Sequence, residues 1–310
     1  MRRNPALIGF SLLPLLLLGG TAFALAEFGI EGMGVVSTKA SEVRGTVSPD
    51  GQRIVWGSPD REGGPGGGDL WQATLKDGRW QDAKPLALNT KAKDAAPMFS
   101  ADGRWLYFSS DRPGGRGGDD LYRAAVNGSG YGKPENLGGG VNTKGDERAP
   151  TPSRDGKALL FASNGHGGAG RHDLFFARWD GAVFGAVQPV PGVNTRDDEF
   201  DAAWLGDGEA IVFARSADAQ AKPIQLQLAQ CDGKRYGGIA PLKLSFNTDA
   251  ATTLGPVVEW NKPGELLVTG SARSPRAGGL DLYRMKAPAV HTKSSCWMMA
   301  STSVCAHASM

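Results

Sequence analysis

Short apolar runs recur along the chain at nearly even intervals, and turn-forming residues separate them. Each run has three or four residues and is rich in β-branched or aromatic side chains. Such segments predict β-strands, and no window of a dozen residues between them has the periodicity of an amphipathic helix. The five runs are Ile54–Trp56, Trp105–Phe108, Leu159–Phe161, Ile211–Phe213 and Leu266–Val268.

A tight-turn sequence precedes each apolar run. Four of these turns contain Asp-Gly, and the fifth contains Pro-Gly. Glycine accepts a positive φ without a Cβ clash, so Asp-Gly at a fixed offset predicts a hairpin. Successive turn glycines are 52, 53, 52 and 56 positions apart. They are Gly51, Gly103, Gly156, Gly208 and Gly264.

Two further landmarks keep the same register. An Asn-Thr pair occurs in four repeats, with Ser37-Thr38 in the same phase as a fifth copy. The pairs begin at Asn89, Asn142, Asn194 and Asn247. An Asp-Leu-aromatic triplet also occurs four times, beginning at Asp69, Asp120, Asp173 and Asp281. A unit of about 50 residues with four strands is typical of a β-propeller blade.

The repeats predict an all-β fold, a five-bladed β-propeller of four-stranded antiparallel blades over residues 27–286. The last repeat has no outer strand after Tyr283, whereas the segment that starts at Glu27 has the aromatic-Gly pattern of the other outer strands. We therefore expect residues 27–36 to supply that strand. Closure by the N-terminal strand would remove an open sheet edge.

Both ends of the chain depart from the repeat. Residues 1–26 have the pattern of a signal peptide, because Arg2 and Arg3 precede an apolar stretch that ends in Ala24-Leu25-Ala26. An uncleaved anchor is the alternative, since this stretch is just long enough to span a bilayer. Either interpretation predicts a periplasmic or secreted propeller. Residues 287–310 show no periodicity and are expected to form a disordered tail.

Charge and cysteine content narrow the possible partners. Without residues 1–26 the chain carries 32 basic and 32 acidic residues, which gives no electrostatic reason to expect nucleic acid or an anionic membrane as a partner. Three scattered cysteines predict no disulfide framework. Cys231 is expected to be an unpaired strand residue, while Cys296 could pair with Cys305.

The Asn-Thr landmark brings two sets of charged residues into register. Four positions past the Thr, four of the five repeats carry an acid, which predicts an acidic ring at the pore that could hold a cation or a basic peptide group. These acids are Glu42, Asp94, Glu147 and Glu199. One position past the Thr, a basic ring lies beside it, formed by Lys39, Lys91, Lys144 and Arg196. The alternative is that each carboxylate accepts backbone N–H groups and is repeated for structural reasons.

The connections that follow the apolar runs are long, so they form the face on which binding is expected. Arg112 lies in one of these loops and could bind a carboxylate or phosphate, or could brace its own glycine-rich loop. His166 and His172 flank a glycine stretch, but their spacing fits no metal-site pattern. We expect no metal and no cofactor.

The repeats resemble the WD40-like propeller repeats of the TolB type. The resemblance rests on Ser-x-Asp-Gly before an apolar strand, on Phe108 to Arg112, on Asp120-Leu121-Tyr122 and on Val141-Asn142-Thr143, and it covers residues 37–286. It implies an envelope protein that acts as a protein-interaction scaffold. The expected partner is another envelope protein or peptide, and the propeller is expected to be a monomer.

The sequence contains no familiar catalytic motif, so the chain is interpreted as a binding protein and not an enzyme. The alternative is a carbohydrate-binding or glycosidase-like propeller. A glycosidase would need two carboxylates at hydrolase spacing near the pore, and Glu147 and Glu199 are the candidates.

Overall fold

The computed structural model describes residues 27–217 and 223–297, and the predicted signal peptide lies outside them. In the described part all regular structure is β, in five antiparallel sheets arranged around a central channel. The predicted five-bladed β-propeller is confirmed. Blades 1 to 5 follow the order of the chain.

Each blade runs from an inner strand at the channel to an outer strand at the periphery. Blade 1 contains β2 (Val43–Val47), β3 (Arg53–Ser58), β4 (Asp69–Lys76) and β5 (Arg79–Pro85). Blade 2 contains β6 (Asp94–Phe99), β7 (Trp105–Ser110), β8 (Asp120–Asn127) and a broken outer strand, β9 (Gly130–Tyr131) and β10 (Glu135–Asn136). Blade 3 contains β11 (Glu147–Pro152), β12 (Ala158–Ser163), β13 (Asp173–Trp179) and β14 (Phe184–Pro189).

The last two blades follow the same plan. Blade 4 contains β15 (Asp198–Leu205), β16 (Ala210–Ser216), β17 (Gln225–Cys231) and β18 (Tyr236–Pro241). Blade 5 contains β19 (Thr253–Val258), β20 (Glu265–Gly270) and β21 (Asp281–Lys286), and its outer strand is β1 (Phe28–Ile30) from the start of the chain. The apolar runs noted in the sequence form the second strand of each blade and, except for the partly buried Trp105, are buried.

The ring is closed as the sequence predicts. β1 pairs antiparallel with β21, so that Phe28 lies opposite Met285 and Ile30 lies opposite Tyr283. The Phe28 ring packs edge-on against Phe246 and Tyr283, with centroids 4.8 and 5.3 Å apart. The first described strand therefore completes the last sheet, and blade 5 has no open outer edge.

The Asn-Thr landmark links neighbouring blades. The Oδ1 atom of Asn142 accepts from the backbone N–H of Leu121 at 2.8 Å, and its Nδ2 donates to the Leu121 carbonyl at 3.0 Å. The side-chain amide thus behaves like one more residue of a strand ladder, which explains why Asn recurs here. The equivalent pairs are Asn89–Leu70, Asn194–Leu174 and Asn247–Leu226.

The ends of the strands define two faces of the ring. The turn face carries the tight Asp-Gly hairpins, in which glycines such as Gly51 (φ 73°) and Gly103 (φ 70°) adopt the left-handed conformation. The loop face carries the longer connections, residues 59–68, 111–119, 164–172 and 271–280, together with the links between blades. This assignment agrees with the expectation from strand alternation.

The segment after blade 5 corrects two expectations. Cys231 is not unpaired: it forms a disulfide with Cys296, across a sequence separation of 65. The Trp297 ring stacks on Trp204 of blade 4 at 5.5 Å, and both side chains are buried. Cys296 therefore pairs with Cys231 and not with Cys305, and residues 296 and 297 are attached to blade 4. Residues 298–310, including Cys305, lie outside the described part, and the disordered tail stays a prediction.

Candidate binding site on the loop face

The four predicted acidic residues are buried, and each is bonded to the Thr that precedes it by four positions. Glu147 accepts from the Thr143 backbone N–H and hydroxyl, both at 2.7 Å, and from the Ser163 hydroxyl at 2.7 Å. Its side chain is inaccessible to solvent. The same bonds form in the pairs Thr38–Glu42, Thr90–Asp94 and Thr195–Glu199. The geometry fits the structural alternative, and binding of a cation at the pore by these acids stays a prediction.

For two of these acids, burial disfavours the charged form of the carboxylate. Desolvation raises the pKa of Glu42 to about 7, although its bonds from Thr38 oppose the shift. Desolvation also raises the pKa of Glu199, against the bonds from Thr195 and the charge of Arg215. These carboxylates order the loop that contains them, although burial of their charge costs solvation free energy.

The four predicted basic residues are exposed on the loop face. The Thr hydroxyl of each landmark accepts a backbone N–H from two residues further on, as Thr143 does from Gly145 at 2.9 Å. The residue between them is therefore at the tip of a tight turn, with its side chain in solvent. The exposed side chains are Lys39, Lys91, Lys144 and Arg196. Each turn thus buries an acidic side chain and exposes a basic side chain to solvent.

Arg112 braces its own blade. Its Nη2 atom lies 2.5 Å from the Asp94 carboxylate and 3.2 Å from the Leu88 carbonyl, and its guanidinium lies 5.0 Å from the Phe108 ring centroid. Only 11% of the side chain is exposed. This fits the bracing alternative, and a role of Arg112 in binding stays a prediction.

Other blades place a basic side chain at the same point. Arg61 donates to the Val35 carbonyl at 3.0 Å and stacks on Trp71. Arg215 pairs with Glu199 at 2.7 Å. In blade 3 the ring of His166 takes this place, 2.6 Å from the Val141 carbonyl. Arg61, Arg112 and His166 lie at similar offsets in their loops, whereas Arg215 reaches this place from the second strand of blade 4.

The central channel holds a buried ion pair. Arg44 is fully buried, and its Nη2 donates to the Thr151 hydroxyl at 2.6 Å and to the Ala149 and Pro150 carbonyls at 3.3 Å. Its Nη1 lies 3.6 Å from the Asp201 carboxylate. Burial lowers the pKa of Arg44 and raises that of Asp201, and the attraction between them opposes both shifts. The guanidinium therefore crosses the channel from blade 1 to blade 3 and obstructs it.

The pairing of Arg44 with Asp201 was missed from the sequence, although a signal was present. Both occupy a bulge in the inner strand, where the backbone has a positive φ. In the first four repeats this bulge lies six positions past the landmark Thr. The residue at the bulge is small in two blades and charged in the other two. The small residues are Ala96 and Ala149, and blade 5 has Gly255 at its bulge.

A charged cleft of about 540 Å³ opens between blades 3 and 4 on the loop face. His172 is at its centre, with Nδ1 3.7 Å from Asp198 and Nε2 3.9 Å from Asp146. Burial, followed by the charge of Arg148, lowers the pKa of His172, so its imidazole is neutral at pH 7. The cleft thus combines an uncharged base with carboxylates and with the guanidinium of Arg171, groups that can bind ions or exchange a proton.

The described residues contain no group of three or more His, Cys, Asp or Glu side chains arranged to hold a metal ion. His166 and His172 occupy separate environments, the first against the Phe161 and Phe175 rings and the second in the cleft. Across residues 27–217 and 223–297, no helix of sufficient length and apolar character to cross a bilayer is found.

Neither a protein-family model nor a curated protein sequence matches the chain. Solved structures share its fold. Hydrazine synthase from Kuenenia stuttgartiensis matches with a TM-score of 0.52 and 16% identity, over 81% of this chain and 38% of that one. An α-L-arabinofuranosidase from Podospora anserina, in complex with cellotriose, matches with a TM-score of 0.52 and 14% identity, over 86% and 98%. TolB from Acinetobacter baumannii matches with a TM-score of 0.47 and 13% identity, over 81% and 56%.

At these identities the similarity shows a shared fold and assigns no activity. This chain spans 56% of the length of TolB and 38% of the hydrazine synthase chain, so the activities of those whole proteins are not transferred to it. Membership of the TolB-type repeat family stays a prediction.

The interpretation that the chain is not an enzyme is contradicted. Propellers with this fold include proteins named as enzymes, among them the arabinofuranosidase. The interpretation rested on the lack of a local catalytic motif. In a ring of blades, however, reactive side chains come from different repeats and form no continuous motif, so such a lack excludes nothing.

Proposed function

We propose that this protein is exported from the cytoplasm and that its loop face binds an acidic segment of another envelope protein. The observation that carries the proposal is the alternation of burial around the Asn-Thr landmark. In four successive blades the acid is buried and the neighbouring base is exposed. Of the two rings predicted from the sequence, the basic one is therefore the ring that a partner meets, and the exposed Asp249 takes the fifth position.

The disulfide supports export. Disulfides persist in the periplasm and outside the cell and are rare in the reducing cytoplasm. Cys231 and Cys296 are both buried, and their bond fixes the segment after blade 5 against blade 4. An oxidising compartment agrees with the signal-peptide pattern of residues 1–26.

Other charges strengthen the basic character of the loop face. Arg116, Arg171 and Arg273 are exposed in its long connections. Exposed carboxylates on this face are partly engaged: Asp60 accepts from the backbone and hydroxyl of Ser41, and Asp111 accepts from the Lys93 N–H. Complementary charge at a rim guides association and selects the partner, and its effect falls with rising salt.

Fluorescence anisotropy with labelled oligo-glutamate and oligo-lysine peptides tests the proposal. We expect the mature protein to bind oligo-glutamate, with an affinity that falls as salt is added, and not to bind oligo-lysine. Replacing the four exposed bases of the landmark by Glu should weaken binding by roughly tenfold or more. These replacements are Lys39→Glu, Lys91→Glu, Lys144→Glu and Arg196→Glu.

A matched control places the same charge change on the turn face. It replaces four exposed lysines, Lys76, Lys157, Lys234 and Lys262, by Glu. This variant should keep the affinity for oligo-glutamate within about twofold, a difference of less than 1 kcal/mol. Equal losses in the two variants would mean that only net charge matters and would refute a loop-face site. Duplex DNA bound as tightly as the peptide would also contradict a protein partner.

A carbohydrate-active function is the competing outcome. Its two candidate acids, Glu147 and Glu199, are both buried and bonded to Thr, so neither is presented to a glycosidic bond. A glycan array with the mature protein distinguishes the two functions. Strong glycan signals without peptide binding would replace the proposed function by this one.

A further inference from the structure

A second cavity lies on the turn face, at the opposite end of the channel from the proposed site. Its volume is about 450 Å³, which is within the range of pockets that bind small molecules. Inner-strand residues of four blades form its walls, and these side chains are mostly apolar. They are Met98, Pro152, Ala203 and Val258.

The cavity is separated from the loop face. Thr151 contributes to its wall, and the hydroxyl of Thr151 accepts the bond from the buried guanidinium of Arg44 that crosses the channel. A molecule in this cavity therefore enters from the turn face. A charged group would be poorly solvated among the apolar walls, so any charge on the ligand belongs at the mouth.

Three tryptophans from different parts of the chain are fixed around the cavity. Trp260 of blade 5 donates from Nε1 to the Phe99 carbonyl of blade 2 at 2.6 Å, so its indole lies across the channel end. Trp297 donates to the Asp207 carbonyl at 3.0 Å and stacks on Trp204. These indoles give the cavity planar aromatic walls, which favour a planar apolar ligand.

Arg154 places a positive charge at the mouth, where the exposed side chains of Asp155 and Asp207 also line the cavity. Its side chain is exposed, and its guanidinium lies 5.6 Å from the Trp260 ring centroid. Within the described residues no carboxylate is paired with it. The neighbouring Asp155 accepts from the Ser153 hydroxyl at 2.7 Å and from the Lys157 N–H at 3.0 Å, so this acid is engaged by its own hairpin.

We propose that this cavity binds a small aromatic carboxylate, with its ring against the tryptophans and its acid group at Arg154. The apolar walls accommodate the body of the ligand, and a guanidinium presents paired N–H donors that match a carboxylate. The Cys231–Cys296 disulfide holds the segment of Trp297 at this wall together with the bond from Trp297 to the Asp207 carbonyl and its stacking on Trp204. The oxidised protein should therefore bind the ligand more tightly than the reduced protein.

Isothermal titration calorimetry with cinnamate and its neutral analogue cinnamamide tests the proposal. The oxidised protein should bind cinnamate at one site and should bind cinnamamide at least about tenfold more weakly. Arg154→Gln should weaken cinnamate binding by a similar factor and leave cinnamamide binding unchanged. Trp260→Ala should weaken both ligands.

Arg104→Gln is the matched control, because Arg104 is an exposed arginine on the equivalent hairpin of blade 2, away from the cavity. It should bind cinnamate as the unchanged protein does. The proposal is overturned if cinnamate shows no saturable binding, if the amide binds as tightly as the acid, or if the two arginine variants lose affinity equally. Circular dichroism of each variant establishes that a loss of binding is not a loss of fold.

Discussion

The two faces of the ring are built on different rules. On the loop face the same contacts recur from blade to blade: an Asn that pairs with the third strand of the preceding blade, and a Thr that bonds a buried acid in a turn with an exposed base at its tip. On the turn face the repeat breaks down in blades 4 and 5. The segment that ends at Trp297 covers blade 4, and Trp260 reaches across to blade 2.

This difference helps to distinguish side chains that maintain the fold from side chains that are available to bind a ligand. A buried side chain that recurs in register meets the same neighbours in every blade, so its first role is to hold the ring, whereas the recurring bases are exposed and remain available to a partner. Side chains that occur once at a repeated position cannot be explained in this way. Arg44 and Asp201 stand where other blades have Ala or Gly, and Trp260 and Trp297 have no counterparts. Departures from the repeat therefore mark the places to look for ligands.

The largest effect is expected on the turn face. Replacing Cys231 and Cys296 by Ala should lower the free energy of unfolding by about 4 kcal/mol, the entropic estimate for a loop of this length. Guanidinium unfolding of the oxidised protein and of the double variant measures the difference. Cinnamate binding should also fall, because Trp297 loses its anchor.

The same double variant separates the two faces. Oligo-glutamate binding on the loop face should be unchanged, since no loop-face residue contacts the disulfide segment among the described contacts. A loss of both cinnamate and oligo-glutamate binding would show that the two faces are coupled, and would contradict the view that they are independent.

A smaller effect is expected from pH on the loop face. The folded protein raises the pKa of Glu42 from 4.5 to about 7, so between these values the folded state holds a proton that the unfolded chain has released. Stability should therefore fall as the pH rises through this window, by roughly 3 kcal/mol at most. Unfolding at several pH values should show this decline, and Glu42→Gln should make it shallower, with the contribution of Glu199 remaining. If the Glu42→Gln variant lost as much stability over this pH range as the unchanged protein, a group other than Glu42 would be responsible for the pH dependence.

The smallest effect distinguishes the two charged rings. Glu147→Gln loses a charge-assisted acceptor for Thr143 and Ser163, which should cost about 2 kcal/mol of stability. Lys144→Gln, at the exposed tip of the same turn, should change stability by less than about 0.5 kcal/mol. Thermal unfolding of the two variants provides the measurement. If Lys144→Gln proved the more damaging, the exposed bases would have a structural role after all.

The fold could be predicted because its determinants are local and repeated. Asp-Gly turns, apolar strands and the aromatic-Gly segment at Phe28 each report a short-range preference, and five copies made the blade count secure. The disulfide could not be predicted in this way. Cys231 and Cys296 are brought together by the packing of Trp297 on Trp204, a tertiary contact with no periodic signature.

The candidate site was only half predictable. Counting from Thr143 correctly aligned Glu147 and Lys144 with their equivalents, but register does not say which side chain faces solvent. That depends on the Thr hydroxyl, which turns the backbone so that the base is outside and the acid inside. The cleft around His172 was also missed, because Asp146 and Asp198 approach it from separate blades.

The pairing of β1 with β21 joins the first and last strands of the propeller, and these strands are synthesised far apart in time. Phe28 finds its partner Met285 only after more than 250 intervening residues have been delivered. During that interval the strand of Phe28 has no sheet to join, and the unfinished ring exposes the flank of blade 1 that blade 5 will cover. Folding must therefore finish with a long-range step, which favours slow assembly and a need for protection until the last hairpin arrives.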